Sequence, residues 1–90
     1  MLKVKEGFVL RKIGNETIAV PVGRRTSEVH GVIALTESGA LLWRELVKGA
    51  KKENLADILL EAYEIDRATA QADVDSFLNG LFEQGVIVDE

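Results

Sequence analysis

The hydrophobic pattern of this chain changes its period at Thr36, and that change limits the folds open to it. Residues 31–35 are a short apolar run with β-branched side chains, a length typical of a strand and too short for a helix. After Thr36, glycine and apolar residues recur at positions 39, 42, 43, 46, 47 and 50, the spacing of one helical face. The Thr36 hydroxyl is predicted to cap this helix, and Glu37 adds negative charge to its first turn. The sequence therefore predicts β-structure before this point and helices after it.

Length and composition indicate one small domain spanning residues 1–90, in which an apolar share of 47% is ordinary for a globular core. No apolar run approaches the roughly 18 residues of a membrane span. The first residues also lack the apolar core of a signal peptide, so we expect a cytoplasmic protein. With no cysteine and one histidine, neither a cysteine-based zinc site nor a nucleophile–histidine pair can be assembled. We therefore expect no cofactor, no metal and no enzymatic activity.

Three strands are predicted before the change of period. The first covers Phe8–Ile13 and the second Thr17–Val20, with Gly14 and its neighbours forming the turn between them. Pro21 is predicted to end the second strand, because proline donates no hydrogen bond to a sheet. The third predicted strand covers Val29–Leu35, and its apolar residues on both sides predict that neither face is fully exposed.

The connection between the second and third strands is polar and predicted to be mobile. Arg24 and Arg25 in this connection are predicted to be simply solvated, although a phosphate contact is the alternative. His30 is predicted to be a surface or turn residue rather than a metal ligand.

Three helices are predicted to follow, over Glu37–Lys48, Glu53–Tyr63 and Arg67–Gln84, with Asp66 capping the third. In the first helix, Gly39 predicts close approach of a neighbouring element, since glycine costs about 1 kcal/mol of helix propensity relative to alanine. Trp43 lies on the same face and is predicted to anchor the core, the alternative being an exposed ligand-binding tryptophan. After the third helix, residues 86–88 predict a short strand or a tail packed back on the domain.

The third predicted helix carries an apolar arc wider than one core face requires. A wide arc indicates two partners, of which one is the sheet and the other lies outside the domain. Leu78 and Leu81 are assigned to the core in preference to a binding groove. For Asp73, Phe77 and Gly80 the two assignments remain equal.

The segment Gly31–Trp43 closely resembles the signature of PqqD-like proteins, roughly G-x-I-x-L-N-x-T/S-G-x-x-I/L-W. Thr36 stands where asparagine is usual, and both residue types cap helices. The resemblance extends in the same order over Gly7–Arg11, Ile18–Gly23, Tyr63–Asp66 and residues 73–85, so it covers nearly the whole chain.

This resemblance implies an α+β, winged-helix-like domain in which a three-stranded antiparallel sheet is followed by three helices. PqqD-like proteins are recognition elements for precursors of ribosomally made, modified peptides. They bind the leader region as a strand added beside strand three and helix three, and present it to a modifying enzyme, often a radical SAM protein. The peptide-binding residues expected here are Val29, His30, Val32, Ile33, Ala34, Asp73, Val74, Phe77, Leu78, Gly80 and Leu81.

The distribution of charge along the chain disfavours one of the alternative functions and leaves the others open. Residues 1–35 carry six basic and three acidic side chains, whereas residues 36–90 carry five basic and twelve acidic ones. A winged-helix DNA-binding protein is therefore disfavoured, because its recognition helix would face phosphates with excess negative charge. A scaffold or regulatory subunit that binds an enzyme and no peptide remains open. So does a homodimer, because an exposed sheet edge also pairs with a second copy.

Overall fold

The computed structural model describes residues 1–27 and 31–90, and these fold into an α+β domain. The predicted fold class, a three-stranded antiparallel sheet followed by three helices, is confirmed. In chain order the elements are β1 (Leu2–Val4), β2 (Phe8–Ile13), β3 (Glu16–Pro21), a 3₁₀-helix (Gly23–Ser27), β4 (Ile33–Leu35), α1 (Glu37–Lys48), α2 (Lys52–Ala62), α3 (Arg67–Glu83) and β5 (Ile87–Asp89).

The main sheet has the strand order β2-β3-β4, and both pairings are antiparallel. Strands β2 and β3 join through the two-residue loop Gly14-Asn15, flanked by the pair Ile13 and Glu16. Gly14 adopts φ 62°, and Asn15 has no positive φ. A type II′ hairpin turn needs this combination, with glycine at its first central position.

The direction of each backbone group in this sheet follows from one hydrogen bond. The Val22 amide donates to the Gly7 carbonyl at 2.8 Å, and this pair continues the register that sets Phe8 opposite Pro21. Hydrogen-bonded and non-bonded pairs alternate in an antiparallel ladder. Ile18 therefore bonds towards β2, whereas Ala19 bonds towards β4, where it pairs with Ile33.

Pro21 explains why β4 is short. By the same alternation the nitrogen of Pro21 faces the β4 side, where its next partner in register is Gly31. Proline has no N–H to donate there, so the ladder stops after the pair of Ala19 and Ile33. The third strand begins at Ile33, and its predicted start at Val29 lies outside the described residues.

The two faces of β4 are not alike, so the expectation that neither face is fully exposed is wrong. Ile33 and Leu35 are each 8% exposed and belong to the core, whereas Val32 is 54% exposed and Ala34 is also exposed. The inner face of the sheet packs on the helices, and the opposite face meets solvent.

Helix α1 has the predicted bounds and its predicted cap, with the Gly39 amide donating to Thr36 Oγ1 at 3.0 Å. Trp43 is 1% exposed, and its ring meets Phe8 edge-on at a centroid distance of 5.6 Å. The prediction that Trp43 anchors the core is confirmed. Asp66 caps α3 as predicted, accepting a hydrogen bond from the Thr69 amide at 2.7 Å.

A second, two-stranded sheet was only half predicted. Strand β5 confirms the strand alternative for the segment after α3, and it pairs with β1, which the sequence did not predict. Val4 faces Ile87 in this pair, and both side chains are buried. Three residues with alternating polarity give too weak a pattern to identify β1 by periodicity.

The connection after β3 is organised as a 3₁₀-helix. The Thr26 and Ser27 hydroxyls donate to backbone carbonyls three residues earlier. Arg25 Nε donates to the Glu6 carbonyl at 2.8 Å, so the prediction that Arg25 is merely solvated is wrong. This guanidinium holds the turn between β1 and β2 against the end of β3.

Candidate functional site

Strand β4 forms an edge of the main sheet. The register pairs Ala34 with Ile18, which bonds towards β2, so Ala34 points its own N–H and C=O away from β3. Val32 lies two residues earlier, just before β4, and would take the same orientation if the alternation continues there. Among the described residues no strand covers this edge. It therefore presents backbone groups that an added strand can pair with.

The structure divides the residues predicted to bind a peptide into two sets. Ile33, Val74, Leu78 and Leu81 have 8% exposure or less, which confirms the core assignment of the two leucines. Val32, Ala34 and Asp73 are exposed, and Phe77 and Gly80 are half-buried. Their place at a binding surface stays a prediction, and the predictions at Val29 and His30 lie outside the described residues.

A groove lies beside the C-terminal end of β4, where the chain enters α1. It consists of two adjoining cavities of about 320 and 370 Å³. Both cavities are lined by residues from the start of α1, from α2 and from α3, namely Thr36, Ser38, Leu59 and Asp73. We call this pair of cavities the α1–α3 groove.

Gly39 places Phe77 in the wall of this groove. A Cβ atom at Gly39 would lie 3.2 Å from Phe77 Cε1 and 3.2 Å from Thr36 Oγ1. The predicted close approach at Gly39 is thus confirmed, and the approaching group is an aromatic ring of α3. Without a side chain at Gly39, this ring rests directly on the first turn of α1.

The charged side chains lining the α1–α3 groove are the carboxylates Glu37 and Asp73. No lysine or arginine of the described chain lines it. The Tyr63 hydroxyl oxygen is buried there beside the Glu37 carboxylate, and it accepts no hydrogen bond in the described part of the chain. Burial, and then the nearby Glu37 carboxylate, raise the pKa of Tyr63 above its ordinary value.

The sequence did not assign Glu37, Ser38, Leu59 or Tyr63 to a site. One signal was present, because residues that cap a helix directly after an edge strand must lie beside that edge. The contribution of α2 had no such signal, since its approach to α3 depends on tertiary packing.

In the described chain, no helix is both long and apolar enough to span a membrane.

Comparisons with known proteins agree with this architecture. TbiB1 in complex with the TbiA(beta) leader peptide is 22% identical, with a TM-score of 0.76 over 98% of this chain and 96% of that one. Lasso peptide synthetase B1, complexed with the leader peptide, is 19% identical, with a TM-score of 0.75 over 98% of both chains. No curated protein sequence matches. The profile of coenzyme PQQ synthesis protein D matches residues 16–87, and the chain therefore belongs to the PqqD family.

Proposed function

We propose that this domain binds the leader region of a ribosomally made precursor peptide as a strand added to β4, and presents it to a modifying enzyme. The observation that carries the proposal is the uncovered edge of β4, with the outward backbone groups of Ala34 and Val32, lying directly beside the α1–α3 groove. Strand addition satisfies such backbone groups without demanding a particular sequence, and adjacent pockets then supply selectivity.

The short edge makes the groove necessary. Two outward-facing residues offer about four backbone hydrogen bonds, each with a net contribution of about 0.5–1.5 kcal/mol. Their sum is about 2–6 kcal/mol, whereas a millimolar dissociation constant already requires about 4 kcal/mol. Association also costs several kcal/mol of lost freedom. Tight binding therefore requires side-chain contacts in the groove.

Sheet geometry decides which peptide side chains reach that groove. A peptide residue opposite Ala34 points to the solvent side of the sheet, the face that Ala34 shares with Ile18. Peptide residues opposite Ile33 and Leu35 point to the inner side. The expected ligand therefore has side chains at alternate positions directed towards α3, and Phe77 is the apolar surface available there.

The comparisons support this proposal through the ligands of the similar structures. Both TbiB1 and lasso peptide synthetase B1 are complexed with leader peptides. In our proposal the domain itself performs no catalysis, and a separate enzyme, for which we propose a radical SAM protein, modifies the peptide. Because ribosomal precursors are made in the cytoplasm, the proposal places the domain there.

A matched pair of proline substitutions tests strand addition. Ala34→Pro removes an outward donor from β4 and spares the bonds to β3. Lys12→Pro does the same on the opposite edge, because Lys12 faces outward from β2 by the same alternation. As the ligand we would use the most enriched peptide from a random display library selected on the wild-type domain, with affinity measured by titration calorimetry.

We expect Ala34→Pro to weaken binding by about 2- to 10-fold, from the one hydrogen bond lost, and Lys12→Pro to leave it unchanged. Thermal melts of both variants establish that each is folded. If Lys12→Pro abolishes binding and Ala34→Pro does not, the peptide uses β2 and the proposal is wrong. Sedimentation that shows a dimer of the wild-type domain, and a monomer of Ala34→Pro, would also contradict it, because β4 would then pair with a second copy of the chain.

A further inference from the structure

The α1–α3 groove has walls of a single charge sign. Glu37 and Asp73 are exposed at its rim, and neither forms an ion pair with a described residue. Elsewhere on the helices, by contrast, Asp75 is paired with Lys52 and Asp57 with Arg67. The groove thus keeps two carboxylates available to a ligand.

The floor of the groove is apolar. Leu42, Leu59 and Phe77 line one cavity, and Ile65 with the Tyr63 ring lines the other. An apolar floor below an acidic rim matches a side chain that has an aliphatic stem and a cationic head, as lysine and arginine have. Two aromatic rings within the groove add a further attraction for a cation.

The Tyr63 hydroxyl is a second polar feature that points to such a head group. Its oxygen is buried beside the Glu37 carboxylate, and it accepts no hydrogen bond in the described part of the chain. Leaving a buried hydroxyl unpaired is unfavourable. Ammonium and guanidinium groups carry only donors, so they can satisfy the hydroxyl oxygen as an acceptor and contact the carboxylates at the same time.

The start of α1 opposes a cation, but weakly. A helix N-terminus is equivalent to roughly half a positive charge, and Glu37 already stands in that first turn. Two full carboxylate charges outweigh it. An acidic peptide side chain would instead meet two like charges at the rim.

We infer that the groove selects leader peptides with a lysine or arginine next to the segment that pairs with β4, inserted between Glu37 and Asp73. This inference rests on the proposed function and names the class of leader that the site takes. The peptide position facing the groove at the C-terminal end of β4, opposite or just beyond Leu35, is where the basic residue belongs.

A random peptide display library selected on four immobilised domains tests this. The domains are the wild type, Glu37→Gln, Asp73→Asn and Glu83→Gln. Glu83 is the control, because it is an exposed acid on the same helix as Asp73 and lines neither cavity. The control removes the same net charge without touching the groove. Thermal melts establish that each variant is folded.

We expect peptides enriched on the wild type and on Glu83→Gln to carry lysine or arginine at one fixed distance from an alternating apolar segment. Each groove variant should weaken the best basic peptide by about 2- to 5-fold, as for exposed ion pairs. Added salt should weaken wild-type binding more than variant binding. A peptide with citrulline in place of its arginine gives the same test from the ligand side.

The outcomes separate the two proposals. Enrichment of peptides without basic residues, or equal binding of the arginine and citrulline peptides, overturns the inference. Strand addition to β4 is then still tested separately by Ala34→Pro. If no peptide is enriched, or if Ala34→Pro leaves binding unchanged, strand addition itself fails and the inference fails with it.

Discussion

Thr36 contributes both to the fold and to the groove. Its hydroxyl accepts the Gly39 amide and ends the helix ladder of α1, and the same side chain lines both cavities beside Asp73. A residue that caps the start of a helix next to an edge strand is thereby placed at the groove. Asp66 has the corresponding capping role at α3, away from the groove.

The Asp66 cap makes stability depend on pH. Hydrogen bonding from Thr69 lowers the pKa of the Asp66 carboxyl below its ordinary value of 3.8. A lowered folded-state pKa contributes stability above the ordinary value, and that contribution is lost as the pH falls through the folded-state value. We expect Asp66→Asn, which keeps a capping oxygen, to lose less stability than the wild type on acidification.

The measurement is the free energy of unfolding from urea titrations between about pH 6 and about pH 3, across the ordinary carboxyl pKa. The difference between wild type and Asp66→Asn should shrink as the pH falls. A constant difference would show that the carboxylate charge contributes nothing at this cap.

Helix caps and the burial of large side chains could be predicted from individual residues of the sequence. Thr36, Asp66 and Trp43 were predicted correctly, because a cap depends on local sequence and a tryptophan on an apolar face has few places to go. Arg25 was not, because its partner is the Glu6 carbonyl, 19 positions away in the chain. Periodicity carries no information about such a contact.

The groove depends on the contact between helices α1 and α3. Phe77 lies where a side chain at Gly39 would project. Gly39→Ala gains about 1 kcal/mol of helix propensity but must displace the ring, and overpacking of this kind costs about 1–3 kcal/mol. We expect Gly39→Ala to be destabilising or neutral in the wild type. In the Phe77→Leu variant, which lacks the ring, we expect the same change to be stabilising.

Gly80→Ala is the control, because a Cβ there meets nothing within 4 Å. It should stabilise α3 by about 1 kcal/mol. Urea unfolding of the single and double variants gives the coupling between positions 39 and 77, which we expect within about 0.5–3 kcal/mol. Additive effects would show that the ring moves aside freely.

Helix positions followed from the sequence to within a residue or two, since each helix has a long periodic stripe. Among the predicted strands, the first has its predicted bounds, and the second extends one residue further at each end than predicted. The third strand was predicted to be too long, because its start depends on Pro21 facing β4 rather than β2, a fact of register. A cleft was predicted between the third strand and α3, whereas the groove walls from α1 and α2 became visible only with tertiary packing.

The acidic side chains of the protein lie mostly in its helical half. Residues 36–90 carry twelve of the fifteen acidic side chains. We expect no sequence-dependent binding to duplex DNA in fluorescence anisotropy at about 50 mM salt, where any attraction to phosphate is strong. Sequence-dependent binding under these conditions would contradict the functional assignment, whereas a weak effect abolished at about 200 mM salt would show only non-specific attraction.

Pro21 also bears on how long a bound peptide stays. By ending the β3–β4 ladder it leaves an edge only a few residues long, so a peptide is held by few backbone bonds. Differences in affinity among related complexes lie mostly in dissociation rate. Under the proposed function, a short edge therefore favours rapid release, which would let one copy of the domain deliver many precursor molecules in succession instead of being consumed by the first.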